Sequence, residues 1–181
     1  MWHFYLNSVV LCIVIVFSGN AIARSYKDAD AVVTLQNGNP CFYYPQDHEI
    51  QQRPYSMSFL DVTTILDGKA GWLTTKVYED KTARVIADSR ESCIEYGVLS
   101  PGMREREVAK PLLLNTPYSV FIQVSAVPGF ERKFATEFCI IRNEKGDSVI
   151  VEATGGGRGE WRCLKPGESA NRGFWGWLFG K

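Results

Sequence analysis

The residues best suited to chemistry in this chain are its cysteines and its two histidines. Cys12 lies in an apolar N-terminal run, which leaves Cys41, Cys93, Cys139 and Cys163 for the rest of the chain. An even number of cysteines in an exported protein predicts disulfide bonds, and four cysteines allow three pairings. The sequence therefore predicts two disulfides.

The segments around two of these cysteines favour one pairing. Cys41 opens the run CFYYP, and Cys93 opens the run CIEYG. Both runs read as short strands that could lie side by side, so we favour a Cys41–Cys93 disulfide, while the other pairings stay open. Zinc is the competing use of the thiols, but no CxxC spacing occurs and His48 is the one histidine after residue 23. We therefore predict neither a metal nor a cofactor.

Catalytic motifs of the common hydrolases do not occur in the sequence. A Ser-His-Asp or Cys-His centre would have to use His48, which lies in a polar segment, and neither GxSxG nor HExxH is present. The run TGGGRG from Thr154 lacks the GK[ST] ending of a phosphate-binding loop. We predict a binding protein without catalytic residues, with a small hydrolase as the less favoured alternative.

The N-terminal segment has the order of a secretory signal peptide. Residues 8–17 are almost wholly apolar, and Ala21-Ile22-Ala23 follows as a small-x-small cleavage pattern. The apolar run is shorter than the roughly 20 residues of a membrane span, although an uncleaved anchor is the alternative. No lipobox precedes Cys12. We expect cleavage after Ala23 and a periplasmic protein.

The charge of the chain excludes some partners. Lys plus Arg and Asp plus Glu both number 20, so the formal net charge is zero. Neither the basic patch typical of nucleic-acid binding nor an acidic disordered tail is present. We expect a folded exported domain whose partner is a protein.

Alternating apolar and polar residues predict short strands through most of the chain. The segment 118–124 is the cleanest example, and Asn37-Gly38 between AVVTLQ and CFYYP predicts a hairpin. About eight or nine such strands, with hardly any helical periodicity, predict an all-β antiparallel sandwich. We expect this domain over residues 24–153. A glycine-rich loop, a last strand and an aromatic tail, with a turn at its end, would follow over residues 154–181.

Three segments are predicted less directly. Residues 46–54 are polar and read as a loop, and residues 84–87 read as a short edge strand. Residues 103–110, MREREVAK, read as a solvated loop or one helical turn because five of the eight are charged.

Candidate partner contacts are aromatic residues and one loop arginine. They are Trp72, Tyr78, Arg158 and Trp161. For the tryptophans the alternative is a place in the core, and for Arg158 it is a solvated loop. The tail from Phe174 to Phe179 is rich in aromatics. Docking on the body is favoured, with contact with a membrane surface or binding of a partner as the alternatives.

Several segments together resemble the periplasmic immunity proteins associated with bacterial type VI secretion systems. These are NPCFYYP, GWLTTKVY, ESCIEYGV, PLLLNTPYSVFIQV and FCIIRN, which lie between Ala31 and Ala153. The resemblance implies a small immunoglobulin-like β-sandwich that binds a secreted toxin and occludes it, with no catalytic motif. Many members of that family look lipidated at an N-terminal cysteine, and this sequence departs from them there. A structural or accessory envelope module is the alternative function.

Overall fold

The structure is a computed structural model of the chain. It describes residues 28–53, 55–77, 84–126, 129–155 and 160–168. The signal peptide predicted over residues 1–23 and the aromatic tail, with the turn expected at its end, lie outside the described residues. Tyr78 and Arg158 lie outside them as well.

The described residues form ten strands and one short helix. The strands are β1 (Val32–Gln36), β2 (Asn39–Tyr43), β3 (Ser56–Thr64), β4 (Ala70–Lys76), β5 (Ile94–Glu95), β6 (Met103–Glu107), β7 (Tyr118–Ala126), β8 (Phe130–Arg142), β9 (Ser148–Gly155) and β10 (Trp161–Cys163), and the helix α1 is His48–Gln51. The predicted hairpin joins β1 to β2. Its turn residues have positive φ angles, 52° for Asn37 and 85° for Gly38, as a two-residue type I′ turn requires.

The strands form two antiparallel sheets that pack together, which confirms the predicted all-β sandwich. One sheet has the order β10-β9-β8-β7-β3-β4-β6, and the other has the order β1-β2-β5. The division into seven and three strands is more unequal than the four and three of a constant-type immunoglobulin domain. Consequently the small sheet covers only part of one face of the large sheet.

The main core lies between the two sheets. Its largest fully buried side chains include Trp72, Phe42, Phe134 and Phe138, which come from both sheets. Strand β7 supplies every second residue from Tyr118 to Ala126, all of them buried, as the alternation in the sequence predicts. Phe42 of the small sheet meets Phe138 of the large sheet edge to face, with ring centroids 5.7 Å apart.

A second apolar group, which we call the outer cluster, lies on the opposite face of the large sheet at the β8–β10 end. Its buried members are Cys139, Ile141 and Ala153, and its partly buried members are Val149, Val151, Trp161 and Cys163. Strand β10 pairs with β9 through three residues. The Cys139–Cys163 disulfide joins β10 to β8.

The prediction for residues 103–110 was wrong, because residues 103–107 form edge strand β6. The alternation is present but hidden by charge: Met103 is buried, whereas Arg104 and Arg106 are exposed. Glu105 points inward with Met103 and accepts a hydrogen bond from the core indole of Trp72. A charged edge strand of this kind resists pairing with other chains.

Two other local predictions also differ from the structure. Residues 84–87 do not form a strand, although Val85 and Ala87 are buried and their carbonyls accept hydrogen bonds from the N–H groups of Met57 and Tyr44. The segment 46–54 contains α1, whose first turn is held by the Asp47 carboxylate accepting from the backbone N–H of Ile50.

Candidate functional site

The cysteines pair as the sequence favoured. Cys41 is bonded to Cys93 and Cys139 to Cys163, with Cα–Cα distances of 5.5 and 5.7 Å. The first pair forms for the expected reason: β2 and β5 lie side by side, with Cys41 opposite Glu95. Both bonds are structural and leave no free thiol among the described cysteines.

The described tryptophans among the candidate contacts have internal roles. Trp72 is 1% exposed, and its indole N–H donates to Glu105 over 2.9 Å. Trp161 is half-buried in the outer cluster. Its ring covers Gly155 so closely that a Cβ there would lie 2.9 Å from the indole. Trp72 therefore belongs to the core, the alternative that the sequence had left open, and cannot anchor a partner in this conformation.

The surface that stands out instead is a group of exposed aliphatic side chains, which we call the apolar rim. Its members, which are each 41 to 69% exposed, are Leu66, Val98, Leu99, Val108, Leu113 and Leu114. They come from the β3–β4 turn, the segment after β5 and the connection between β6 and β7. Isolated exposed aliphatics are ordinary, but their occurrence in neighbouring loops makes this group the candidate interaction surface.

The connection from β6 to β7 is fixed in place by backbone hydrogen bonds. The N–H of Lys110 donates to the Gly71 carbonyl over 2.9 Å, and the N–H of Asn115 donates to the Ile140 carbonyl over 2.9 Å. Between them, the N–H of Leu113 donates to the Tyr118 hydroxyl oxygen over 2.8 Å. The leucines of this connection are therefore presented on an ordered backbone that crosses the end of the large sheet.

Tyr96 ties the connection to the core. Its hydroxyl lies 2.9 Å from the Gly71 carbonyl oxygen and 2.7 Å from the Lys110 carbonyl oxygen, between which its proton is shared. Its ring packs edge to face on Trp72, with centroids 5.4 Å apart. Burial raises the pKa of Tyr96 to about 12, so the hydroxyl stays protonated and donates at physiological pH.

Glycine is needed at two positions for the segments around this connection to pack closely. A Cβ on Gly71 would lie 3.2 Å from the Val62 carbonyl oxygen and 3.3 Å from the Tyr96 hydroxyl. Gly97 has a φ of +78°, and a Cβ added to it would lie 3.3 Å from the Cβ of Ala109. This contact brings the segment holding Val98 next to the one holding Val108.

Two grooves flank the connection. The larger has a volume of about 450 Å³ and lies between the β1–β2 turn, Tyr96 and Leu112. The smaller, of about 160 Å³, lies between the β3–β4 turn and Leu113. Both grooves are shallow and open, and they could receive side chains of a protein partner more readily than they could enclose a small molecule.

Two further features are absent from the described residues. Within them, no group of three or more His, Cys, Asp or Glu side chains is placed to hold a metal ion. In the same part of the chain, no helix has the length and apolar character needed to cross a membrane.

One run of the sequence could have indicated the apolar rim, although the alternation of apolar and polar residues did not. The run VAKPLLLN places three leucines after a proline and before the first alternating residue of β7, so they cannot all face the core. No protein-family model, curated protein or solved structure matches the chain.

Proposed function

We propose that this chain is an exported protein-binding module that blocks its partner by covering it, and that the partner is a secreted bacterial toxin. The observation that carries the binding role is the apolar rim, six aliphatic side chains exposed on neighbouring ordered loops. The toxin as partner rests on the resemblance of the sequence to type VI immunity proteins.

The compartment fits this proposal. Two disulfides in the described residues indicate an oxidising, exported environment. Cleavage after Ala23 and residence in the periplasm are part of the proposal, and a toxin delivered to the periplasm would be met there.

The apolar rim has the properties of an interface centre. Leu113 and Val108 are 64 and 69% exposed, so each offers apolar area whose burial contributes roughly 25 cal/mol per Å². Charged groups lie in the same loops as the aliphatics: Lys110 donates to the Ala70 carbonyl, and Lys69 pairs with Asp67 over 2.9 Å. An apolar centre with a polar margin is the usual arrangement of a protein interface.

Occlusion needs no chemistry from this chain. An interface of about 1,600 Å² in total is enough to cover an active site, and a few anchors supply most of the binding energy. Ordered loops lose little conformational entropy on binding, since their backbone is already hydrogen bonded. We therefore expect stoichiometric inhibition without a cofactor.

The test is co-expression with the toxin encoded by the neighbouring reading frame, directed to the periplasm. The chain should restore survival and purify with the toxin as a 1:1 complex. The double variant Val108→Glu/Leu113→Glu should weaken the complex by at least ~100-fold, because two charges would be buried against apolar surface. Survival should be lost with it.

The matched control is Ile86→Glu, a change at another exposed aliphatic outside the apolar rim. Ile86 is 49% exposed, and its substitution should leave survival and complex formation unchanged. Equal loss in both variants would point to general destabilisation. Full protection by the double variant would exclude the apolar rim as the contact surface, and no protection by the unaltered chain would refute the immunity function.

A further inference from the structure

The face of the large sheet that is turned away from the small sheet carries two aromatic rings and a carboxylate side by side. They belong to Phe59 and Asp61 of β3 and to Phe121 of β7. The residues beside them along each strand are buried on the other face, towards the main core. Each of the three is half-buried and therefore keeps part of its surface accessible. We call this group the Asp61 site.

Apolar side chains flank the carboxylate on both neighbouring strands. Asp61 pairs with Phe121 of β7 on one side and with Leu73 of β4 on the other. Residues directly opposite each other in antiparallel strands have Cβ atoms about 4.5–5.5 Å apart. The rings of Phe59 and Phe121 meet edge to face, with centroids 5.9 Å apart. The carboxylate therefore lies within a partly accessible apolar surface.

Within the described residues, no cation compensates the charge of Asp61. None of the ion pairs found there includes it, and one of its carboxylate oxygens is buried without a hydrogen-bond partner. Burial raises the pKa of Asp61, and the Thr63 side chain only partly opposes this. Arg106 of β6 donates instead to the hydroxyl of Thr75 over 3.2 Å. A partly desolvated charge without a counter-charge is costly, so its presence calls for an explanation.

Another part of the same chain contains the complete arrangement of which the Asp61 site is a part. Arg132 lies beside the ring of Phe134, with its guanidinium carbon 5.9 Å from the ring centroid. The same guanidinium pairs with the carboxylate of Asp47 over 2.8 Å. The Asp61 site has a phenylalanine ring and a carboxylate in the same way, and no guanidinium in contact with them is found among the described residues. The missing component is therefore a cation.

We propose that the Asp61 site receives an arginine side chain of a protein partner, with the guanidinium paired to the carboxylate and packed against the Phe121 ring. Charge complementarity selects this occupant. A cation neutralises the whole carboxylate, so it compensates the enclosed oxygen even where it touches only the other one. Arginine fits better than lysine because its planar guanidinium pairs with a carboxylate through two N–H groups, stacks on aromatic rings and is more weakly hydrated.

The Asp61 site is separate from the apolar rim. The rim lies in loops, whereas Asp61 lies within β3 and faces away from the main core. The proposal therefore does not depend on toxin binding by the rim. It also gives a reason for keeping a charge that costs the free protein stability, because groups that serve binding are often retained at such a cost.

The test is an NMR titration of the oxidised chain with the peptide acetyl-Ala-Arg-Ala-amide at constant ionic strength, a probe that presents arginine within a chain as a protein surface does. The amide signals of Phe59, Asp61 and Phe121 should shift with a dissociation constant of roughly 10–100 mM, because a single ion pair and a single cation–π contact are weak. Asp61→Asn keeps the shape of the side chain and should raise this constant by ~10-fold or more. Phe121→Leu should raise it by about 3-fold.

The matched control is Asp67→Asn, which removes an exposed carboxylate that already pairs with Lys69 and should leave the titration unchanged. Acetyl-Ala-Lys-Ala-amide carries the same charge and should bind about 3-fold more weakly. Circular dichroism must show each variant folded, and Asp61→Asn serves if Phe121→Leu is not.

Three results would overturn the proposal. The first is the absence of localised shifts, or shifts that are equal in Asp61→Asn. The second is tighter binding of the lysine peptide. The third is a free protein in which Asp61→Asn moves the amide signals of a basic residue outside the described part of the chain, or in which the site's signals shift with protein concentration. The occupant would then be this chain itself or a second copy of it.

Discussion

The main core and the outer cluster lie on opposite faces of the same large sheet and are stabilised differently. Twenty-one buried residues form the main core in the described part of the chain, whereas three form the outer cluster. The main core is closed by a second sheet. The outer cluster is closed by a three-residue strand and the Cys139–Cys163 disulfide.

This difference shows where covalent cross-links matter most to the local structure. Buried apolar area stabilises the main core by roughly 1.5–3 kcal/mol for each large side chain. Three buried residues supply too little to hold an edge strand, since ordering each residue costs ~1–2 kcal/mol of backbone entropy. We infer that β10 depends on its disulfide, whereas the sandwich depends first on its core.

The largest effect should come from the centre of the main core. Trp72→Ala removes a fully buried ring and leaves Glu105 without its indole partner, so we expect a loss of about 3–5 kcal/mol in the free energy of unfolding. Urea denaturation followed by circular dichroism measures this loss. Trp161→Ala is the matched comparison in the outer cluster and should cost at most about half as much, because that ring is only half-buried.

The next effect concerns the disulfide beside the main core. Replacing Cys41 and Cys93 by alanine removes a cross-link between residues 52 positions apart. The chain-entropy model predicts that this cross-link stabilises the folded state by about 4 kcal/mol. We expect the whole sandwich to lose this stability in one cooperative urea transition. A partial transition, with β2 and β5 lost while the large sheet stays folded, would contradict this view.

A smaller and more local effect is expected from the second disulfide. The sequence separation of Cys139 and Cys163 is 24, which corresponds to about 3.5 kcal/mol in the same model. We infer that the outer cluster opens while the main core stays packed, so the double alanine variant should lower the urea midpoint less than the first pair does. Amide exchange should accelerate in β9 and β10 but not in β7. Equal acceleration in β7 would mean that the two regions unfold together.

The same contrast explains what could be predicted from the sequence. Strand β7, with one face in the main core, alternates strictly and was predicted correctly. Strand β6 is an edge strand whose outward positions carry charge, so composition concealed its alternation. The Cys41–Cys93 pair was favoured because both cysteines lie in short β-like runs. The uneven division into seven and three strands depends on long-range pairing, such as β3 with β7, that no local pattern encodes.

The candidate site was the hardest part to predict. Trp72 was a candidate contact because aromatic residues often anchor interfaces, and a place in the core was its alternative because a tryptophan in a strand is also an efficient core residue. The apolar rim consists of aliphatics in connections, and their exposure follows from how the β6–β7 connection is tied to Gly71 and Ile140. Those hydrogen bonds join distant residues, so the exposure could not be derived from local sequence.

The face of the large sheet that carries the outer cluster, which we call the outer face, also contains a half-buried carboxylate. Asp61 lies opposite Phe121 on β7 and two residues from Phe59, whose ring meets that of Phe121 at 5.9 Å. One of its carboxylate oxygens is buried without a hydrogen-bond partner in the described residues. Burial raises the pKa of Asp61 above its usual 3.8, and a hydrogen bond from the Thr63 side chain only partly opposes this. The ionised carboxylate of Asp61 therefore destabilises the folded state.

The smallest effect we predict follows from that cost. A raised pKa in the folded state means that the native protein binds more protons than the unfolded chain just above pH 3.8, so stability falls as pH rises through the shifted pKa. Asp61→Asn should raise the melting temperature at neutral pH by about 2–4 °C, and the gain should vanish as pH falls towards 3.8.

Asp67 provides the control with the opposite sign. The Thr64 hydroxyl and then Lys69 hold the pKa of Asp67 below its usual value, so its contribution is present above pH 3.8 and is lost as the pH falls through the lowered pKa. Asp67→Asn should therefore lower stability at neutral pH. If Asp61→Asn also lowered it, the carboxylate of Asp61 would be making a favourable interaction, and the outer face would tolerate charge no worse than the surface turn does.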